Sequence, residues 1–202
     1  MRITGGIYRS RTIRAPRGRT TRPTSERVRE ALFGILGSAG VLEGARVLDL
    51  YAGSGAMALE ALSRGAATAL LVESSRAAVE TVEANVDALG CRAVVRWITG
   101  DVARVGRRIA VDGPFDLVVA DPPWALVDAG VAPAAMASLV AAGVLAEGAW
   151  VVLEHAARTP APDVGGLFRG ETRRYGDTSL TFYKPAILGR PRTDAHAGLP
   201  SD

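Results

Sequence analysis

Residues 46–55 read R-V-L-D-L-Y-A-G-S-G and residues 115–124 read F-D-L-V-V-A-D-P-P-W, and the fold follows from these two stretches. In the first, an aliphatic run ends in small residues and then meets a helical pattern, which reads as strand, tight turn, helix. Gly53 and Gly55 let the backbone turn sharply and pass close to a ligand, where a Cβ would collide. The second stretch is a buried strand halted by two prolines. Neither Pro122 nor Pro123 has an amide to give a sheet ladder, and Pro122 holds Asp121 in extended geometry. Both stretches set polar groups at the carboxyl ends of parallel strands, the edge at which open α/β sheets bind ligands.

Outward from these stretches the pattern alternates. Strands are expected at 46–51, 68–73, 93–99, 115–120 and 149–154. Helices are expected at about 55–64, at 75–89, in a short segment after Asp101, and at about 131–142. Strands alternating with helices imply an α/β domain with a parallel sheet covered by helices on both faces. After the Pro/Gly-rich residues 160–166, the runs 167–175 and 179–184 flank Gly176-Asp177 and predict a closing antiparallel hairpin. The chain divides into a basic N-terminal arm or hairpin (1–23), one α/β domain (24–184) and a polar tail (185–202) with little to bury, expected to be disordered.

Within the arm, Gly5-Gly6 and the spaced Ile3, Ile7 and Ile13 predict a short hairpin or extended segment, and residues 16–23 are turn-rich. Thr24 is the expected N-cap of a helix whose stripe is Val28, Ala31, Leu32, Ile35 and Leu36; Arg27 and Glu30 lie on its opposite face with Arg29 beside them.

At 202 residues and 48% hydrophobic, the chain can bury one sizeable core. A single cysteine, Cys91, leaves no intrachain disulfide, and two histidines, His155 and His196, argue against a metal centre. No apolar run is long enough to span a bilayer, and the basic N-terminus lacks an apolar signal core, so a cytoplasmic protein without membrane association is expected. No exposed apolar stripe calls for a partner copy, and a monomer is expected. The net charge of +3 conceals an asymmetry. Residues 1–30 hold nine arginines against Glu26 and Glu30, a local charge of +7, which leaves −4 for the remainder. A basic arm on a mildly acidic body suits a polyanionic partner, because phosphate neutralisation supplies most non-specific nucleic-acid affinity.

A glycine turn after a first strand can serve NAD, FAD, a nucleotide phosphate or S-adenosylmethionine. The spacing here is not G-x-G-x-x-G, and no Gly-Lys-Ser/Thr P-loop exists. Glu73 closes the second strand, where an acid can accept bonds from ribose hydroxyls. Asp49 can hold the loop amides or, through water, a ligand's ammonium. Asp101 can reach an adenine amino group, although a helix N-cap explains it equally well. Asp121-Pro122-Pro123-Trp124 is the most specific signal. An exocyclic amino group conjugated to a base is a poor nucleophile and must be held with its electron density facing the methyl donor. The Asp121 carboxylate and the Pro122 carbonyl can accept its two N–H bonds, and Trp124 offers a flat face for a flipped base.

These residues resemble a known family. D-L-Y-A-G-S-G (49–55), L-E-A-L-S-R-G-A (59–66), D-P-P-W (121–124), R-P-T-S-E-R-V-R-E-A-L-F (22–33) and R-Y-G-D-T-S-L (174–180) are together similar to the RsmD-type 16S rRNA guanine-N2 methyltransferases, over about residues 1–184. The resemblance implies a Rossmann-like class I methyltransferase fold with a mostly parallel seven-stranded sheet and S-adenosylmethionine as donor. It also implies a guanine N2 acceptor in 16S rRNA, within the small ribosomal subunit or its assembly intermediate. The catalytic residues would be Asp121, Pro122, Pro123 and Trp124. The cofactor contacts would be Asp49, Tyr51, Ala52, Gly53, Gly55, Glu73, Asp101 and Val102. The RNA contacts would come from Arg9, Arg11, Arg17, Arg19, Arg22 and Arg27, with the arm engaged through Arg29. Trp124 stands where Phe or Tyr is commoner, which preserves stacking. A DNA adenine-N6 methyltransferase would need room for a recognition domain, and a protein glutamine-N5 enzyme usually carries Asn before the proline pair. A non-catalytic RNA-binding assembly factor would be expected to have lost Glu73, the glycine turn or Asp121, and all are present.

Overall fold

The computed structural model describes residues 1–15 and 25–186. Among them, seven strands form one sheet in the order β3-β2-β1-β4-β5-β7-β6. The strands β1 (Arg46–Leu50), β2 (Thr68–Glu73), β3 (Val95–Thr99), β4 (Phe115–Ala120) and β5 (Leu145–Ala156) run parallel. The last two, β6 (Leu167–Tyr175) and β7 (Thr178–Pro185), form the closing hairpin, with β7 antiparallel to β5. Three helices, α1 (Glu26–Ser38), α2 (Ala56–Ser63) and α3 (Arg76–Leu89), pack on one face. On the other lie α4 (Gly106–Asp112), α5 (Trp124–Asp128) and α6 (Val131–Ala141).

The pleat of β1 shows why both faces are apolar. Val47 joins the core under α1–α3, while Leu48 and Leu50 join the one under α4–α6. Asp49 points to the Val47 side, buried beneath α2. No helix among the described residues is long and apolar enough to cross a membrane.

Four local expectations are adjusted. The N-cap of α1 is Ser25, whose hydroxyl accepts the Val28 amide at 3.2 Å, and not Thr24, which lies outside the described residues. Residues 92–94 form a 3-10 turn, so β3 starts at Val95. The strand β5 begins at Leu145 and crosses a register shift opposite Phe115/Leu117, and this irregularity hides its start from a periodicity reading. Helix α5 follows Pro123 without a sequence forecast, since five residues are too few for a period to register.

Residues 1–15 are docked on the body. A single antiparallel bridge joins Arg2 to Thr12, and Ile3 and Ile13 are buried in the core that contains Phe33 and Leu59. Ile7, spaced to join them, is instead 80% exposed at the tip of the turn. Here Gly6 (φ +74°) lies so close to α2 that a Cβ would come within 1.6 Å of the Ser63 carbonyl oxygen, and only glycine fits. Fully buried Glu60 on α2 fastens the segment. Its carboxylate accepts the Thr4 amide at 2.9 Å, the Thr4 hydroxyl at 2.6 Å and the Gly5 amide at 2.9 Å. It also accepts Arg29 Nε at 3.2 Å and Arg64 Nε at 2.8 Å. Arg29, expected to join the RNA-facing arm, is therefore corrected to an interior residue. It is fully buried and donates a second hydrogen bond to the Arg2 carbonyl, because desolvating Glu60 requires a cation beside it.

Candidate active site

The strand order reverses at β1 and β4, which pair with Leu50 opposite Ala120. Connections on either side of such a reversal leave in opposite directions and open a crevice at the carboxyl edge. The glycine turn after β1 and the proline pair after β4 flank that crevice, a cleft of about 990 Å³. Its wall brings together eight of the sequence-chosen residues: Asp49, Tyr51, Ala52 and Gly53 from the first motif, and Asp121, Pro122, Pro123 and Trp124 from the second.

Backbone geometry explains the turn. Tyr51 (φ 62°), Gly53 (φ 57°) and Gly55 (φ 78°) are all left-handed, an unusual conformation for a tyrosine. Ala52 donates to the Val72 carbonyl at 3.0 Å, and Gly55 donates to the Ala52 carbonyl at 2.8 Å. A Cβ on Gly55 would meet Leu71 Cδ2 at 2.9 Å, so this glycine lets α2 settle against β2.

Gly55, Glu73, Asp101 and Val102 do not line the cleft. Glu73 stands one layer behind, where its Oε2 accepts the Gly53 amide and its Oε1 the Ser75 amide, each at 2.8 Å. It thereby ties the glycine turn to the start of α3. Asp101 is exposed and accepts the Ala103 amide at 3.0 Å, while Val102 is buried in the core. Arg9, Arg11 and Arg27 are exposed, and the Arg11 guanidinium donates to the Ala88 carbonyl. Arg17, Arg19 and Arg22 lie outside the described residues. The cleft also gathers residues the sequence reading did not assign: Glu154 at the end of β5, Arg158, and the 174–178 turn of the closing hairpin. Arg158 stacks over Trp124 at 5.8 Å from the ring centroid and bonds to Asp128 Oδ2 at 3.1 Å. The Tyr-Gly-Asp-Thr motif was the available signal for the turn, but its place opposite the proline pair depends on β7 joining β5. His155, one residue past Glu154, is interior: its Nε2 meets the Thr181 hydroxyl at 2.8 Å, and burial lowers its pKa.

The cleft floor is acidic. Asp49 accepts the Ala58 amide at 3.0 Å, which holds the first turn of α2. Its pKa is pushed up to about 8 by burial, helped by the charges of Asp121 and Glu73 and opposed by the Ala58 bond. Tyr51 is likewise raised to about 12 by burial, with Asp101 nearby. A folded pKa above the ordinary 3.8 means that Asp49 favours the fold at low pH and that this contribution is lost as pH rises through about 8. Asp49→Asn keeps an acceptor for Ala58 without the charge. It is expected to melt at a higher temperature than the wild type at pH 8.5 and at nearly the same temperature at pH 4. Melting curves across that range decide the matter, and parallel pH dependence in the two proteins would contradict the assignment.

The strand order, the glycine turn and the cleft at the reversal define a class I methyltransferase fold. Comparison with known proteins sharpens this. Residues 1–184 match the family described as "Conserved hypothetical protein 95". The "Putative rRNA methyltransferase YlbH" of Bacillus subtilis is 31% identical over 186 residues, covering 91% of this chain and 98% of that protein. "Ribosomal RNA small subunit methyltransferase D" of Escherichia coli K12 is 40% identical over 127 residues, or 61% of this chain and 60% of that protein. Among solved structures, the "Putative methyltransferase yhhF" of Escherichia coli superposes with a TM-score of 0.77 at 30% identity, covering 93% of this chain and 99% of that one. The chain belongs to the conserved hypothetical protein 95 family, the family of the RsmD-type rRNA methyltransferases.

Proposed function

We propose that this protein transfers a methyl group from S-adenosylmethionine to the exocyclic N2 amino group of a guanine in 16S rRNA of the small ribosomal subunit. The observation that carries the reading is that Asp121, the proline pair and the Trp124 indole share one cleft with the glycine turn. The acidic floor fits the donor's chemistry. Burial is the main cause of the raised Asp49 pKa, and Asp121 and Glu73 lie close enough to add to it, a clustering of carboxyl groups that welcomes a sulfonium and an ammonium and repels a nucleotide phosphate. When bound, S-adenosylmethionine supplies an electrophilic methyl group on positive sulfur. Tyr51, Ala52 and Gly53 would border it. Glu73 would shape the turn through Gly53 and accept a ribose hydroxyl on a remaining lone pair, with Asp101 and Val102 at the adenine end.

The protein's own part is positional. The Asp121 carboxylate and the Pro122 carbonyl accept the two N–H bonds of the amino group, and Trp124 stacks on the extruded base. That geometry aims the nitrogen electron pair at the methyl carbon. The bound donor would supply the methyl carbon to nitrogen and keep the electrons of its S–C bond on sulfur. The proton then leaves nitrogen, with Asp121 in place to receive it. Orientation and exclusion of water account for the rate, since no separate strong base is needed.

The test is transfer of labelled methyl to small subunits from cells lacking the enzyme, compared with naked 16S rRNA and duplex DNA, with the product nucleoside identified. N2-methylguanosine in the subunits is expected; N6-methyladenosine, or label in protein alone, would overturn the reading. The arginine arm supplies phosphate contacts under the same proposal. Neutralising Arg17, Arg19 and Arg22 together is expected to flatten the slope of log affinity against log salt by about 2, from three lost contacts at roughly 0.7–0.9 each. An unchanged slope in filter binding would remove the arm as the RNA contact.

A further inference from the structure

The root of the arm and the glycine turn meet on one side chain. Asn85, on α3, is 1% exposed. Its Oδ1 accepts the Arg14 amide at 2.7 Å, and its Nδ2 donates to the Arg14 carbonyl at 3.0 Å and to the Ser54 carbonyl at 2.9 Å. The opposite amide orientation would set Nδ2 against an N–H and Oδ1 against two carbonyls, so the network itself fixes the assignment. Asparagine is a mediocre residue for a helix interior and costs free energy when buried without partners. Here all three of these bonds leave the helix, toward two segments distant in sequence.

Those segments have separate duties under the proposed function. Ser54 lies between Gly53 and Gly55 and lines the cleft. Arg14 precedes Ala15, also at the cleft, and leads into the stretch with Arg17, Arg19 and Arg22. The same two helices that flank the glycine turn hold the arm's root: α2 through Glu60 and Ser63, and α3 through Asn85. A shift of the arm's backbone at Arg14 therefore loads the carboxamide that holds Ser54, and the reverse also holds.

We infer that Asn85 is a positioning residue that couples RNA contact on the arm to the shape of the donor turn, so that RNA and donor strengthen each other's binding. The inference rests on the methyltransferase reading above. Coupling of this kind is reciprocal and typically amounts to about 5–150-fold in affinity.

The experiment is equilibrium dialysis of labelled S-adenosylhomocysteine, which binds without turnover, in the presence and absence of saturating unmethylated small subunits. The wild type is expected to bind at least about fivefold more tightly with subunits present. In Asn85→Ala, and in Asn85→Asp, which keeps an acceptor for Arg14 but turns a carboxylate toward two carbonyls, that factor should fall to near one. A wild type without enhancement, or variants that retain the full factor, would overturn the inference. A side chain that merely staples the fold would lower melting temperature and leave the factor intact. Should both variants misfold, hydrogen exchange on the wild type decides: S-adenosylhomocysteine should slow exchange of the Arg14 amide, and an unchanged rate would overturn the coupling. The nucleoside product distinguishes this from failure of the methyltransferase reading, because loss of coupling alone leaves N2-methylguanosine as the product.

Discussion

Asp121→Ala is expected to lower methyl transfer by at least about 10²–10³-fold, the usual cost of removing one preorganised polar contact to a reacting group. Donor affinity should be nearly unchanged. The charge of Asp121 is one of the influences raising the Asp49 pKa, so its removal eases ionisation of Asp49 and costs a cationic donor little. Asp121→Asn keeps one oxygen acceptor but presents an NH₂ group, and should fall between the two. Single-turnover transfer with S-adenosylmethionine binding measured separately checks both halves. Activity within a fewfold of wild type in the alanine variant would mean that the Pro122 carbonyl and Trp124 suffice to orient the base. Loss of donor binding together with activity would instead move Asp121 into the cofactor site.

The second large effect is on stability. Glu60→Ala removes the acceptor of five hydrogen bonds and leaves the guanidinium of Arg29 buried without its carboxylate. Nη1 of Arg29 already has no partner among the described residues, so the cation has little else to turn to. Breaking a buried ion pair from one side costs about 3–5 kcal/mol. At about 2–4 °C per kcal/mol for a domain of this size, the melting temperature should fall by roughly 10 °C. The pH dependence has a definite sign. Burial would raise the Glu60 pKa, but hydrogen bonds from Thr4 and Arg64 and the Arg29 charge outweigh it and hold the carboxyl below its ordinary value. A depressed folded pKa gives stability that is present above the ordinary value of 4.5 and is lost as pH falls through the folded one. The wild type should therefore lose this margin in acid, and Glu60→Ala should lose less. Equal melting temperatures at pH 7 would show that Ile3, Ile13 and the bonds to Ser63 and Asn85 hold the N-terminal segment without Glu60.

The fold was legible in the sequence because its strongest signals are local. A buried strand followed by a glycine turn, and another halted by prolines, register within ten residues each, and alternation of strand and helix leaves few parallel topologies. β4 is placed to the residue, and Gly176-Asp177 marks the hairpin turn. Short or irregular elements were not legible: α5 is too brief, and the start of β5 crosses a register shift. The two halves of the cleft were readable for the same reason, since Asp49 to Gly53 and Asp121 to Trp124 each lie beside a turn signal at a strand end.

What sequence could not decide is which charges go inside. Arg27, Arg29 and Glu30 look alike along the chain, yet only Arg29 is buried, because α1 lays that position over Glu60 from a helix 31 residues away. Asn85 reads as one more polar residue on an amphipathic helix until the arm and the glycine turn are folded onto it from 71 and 31 residues away. By itself the sequence determined the carboxyl ends of β2, β3 and β4, the turn chemistry and the acid before the proline pair, all set by backbone sterics over a few residues. Only the tertiary structure decided the partners of Arg29, Glu60 and Asn85, because a buried polar group takes its role from whichever distant donor or acceptor arrives to satisfy it.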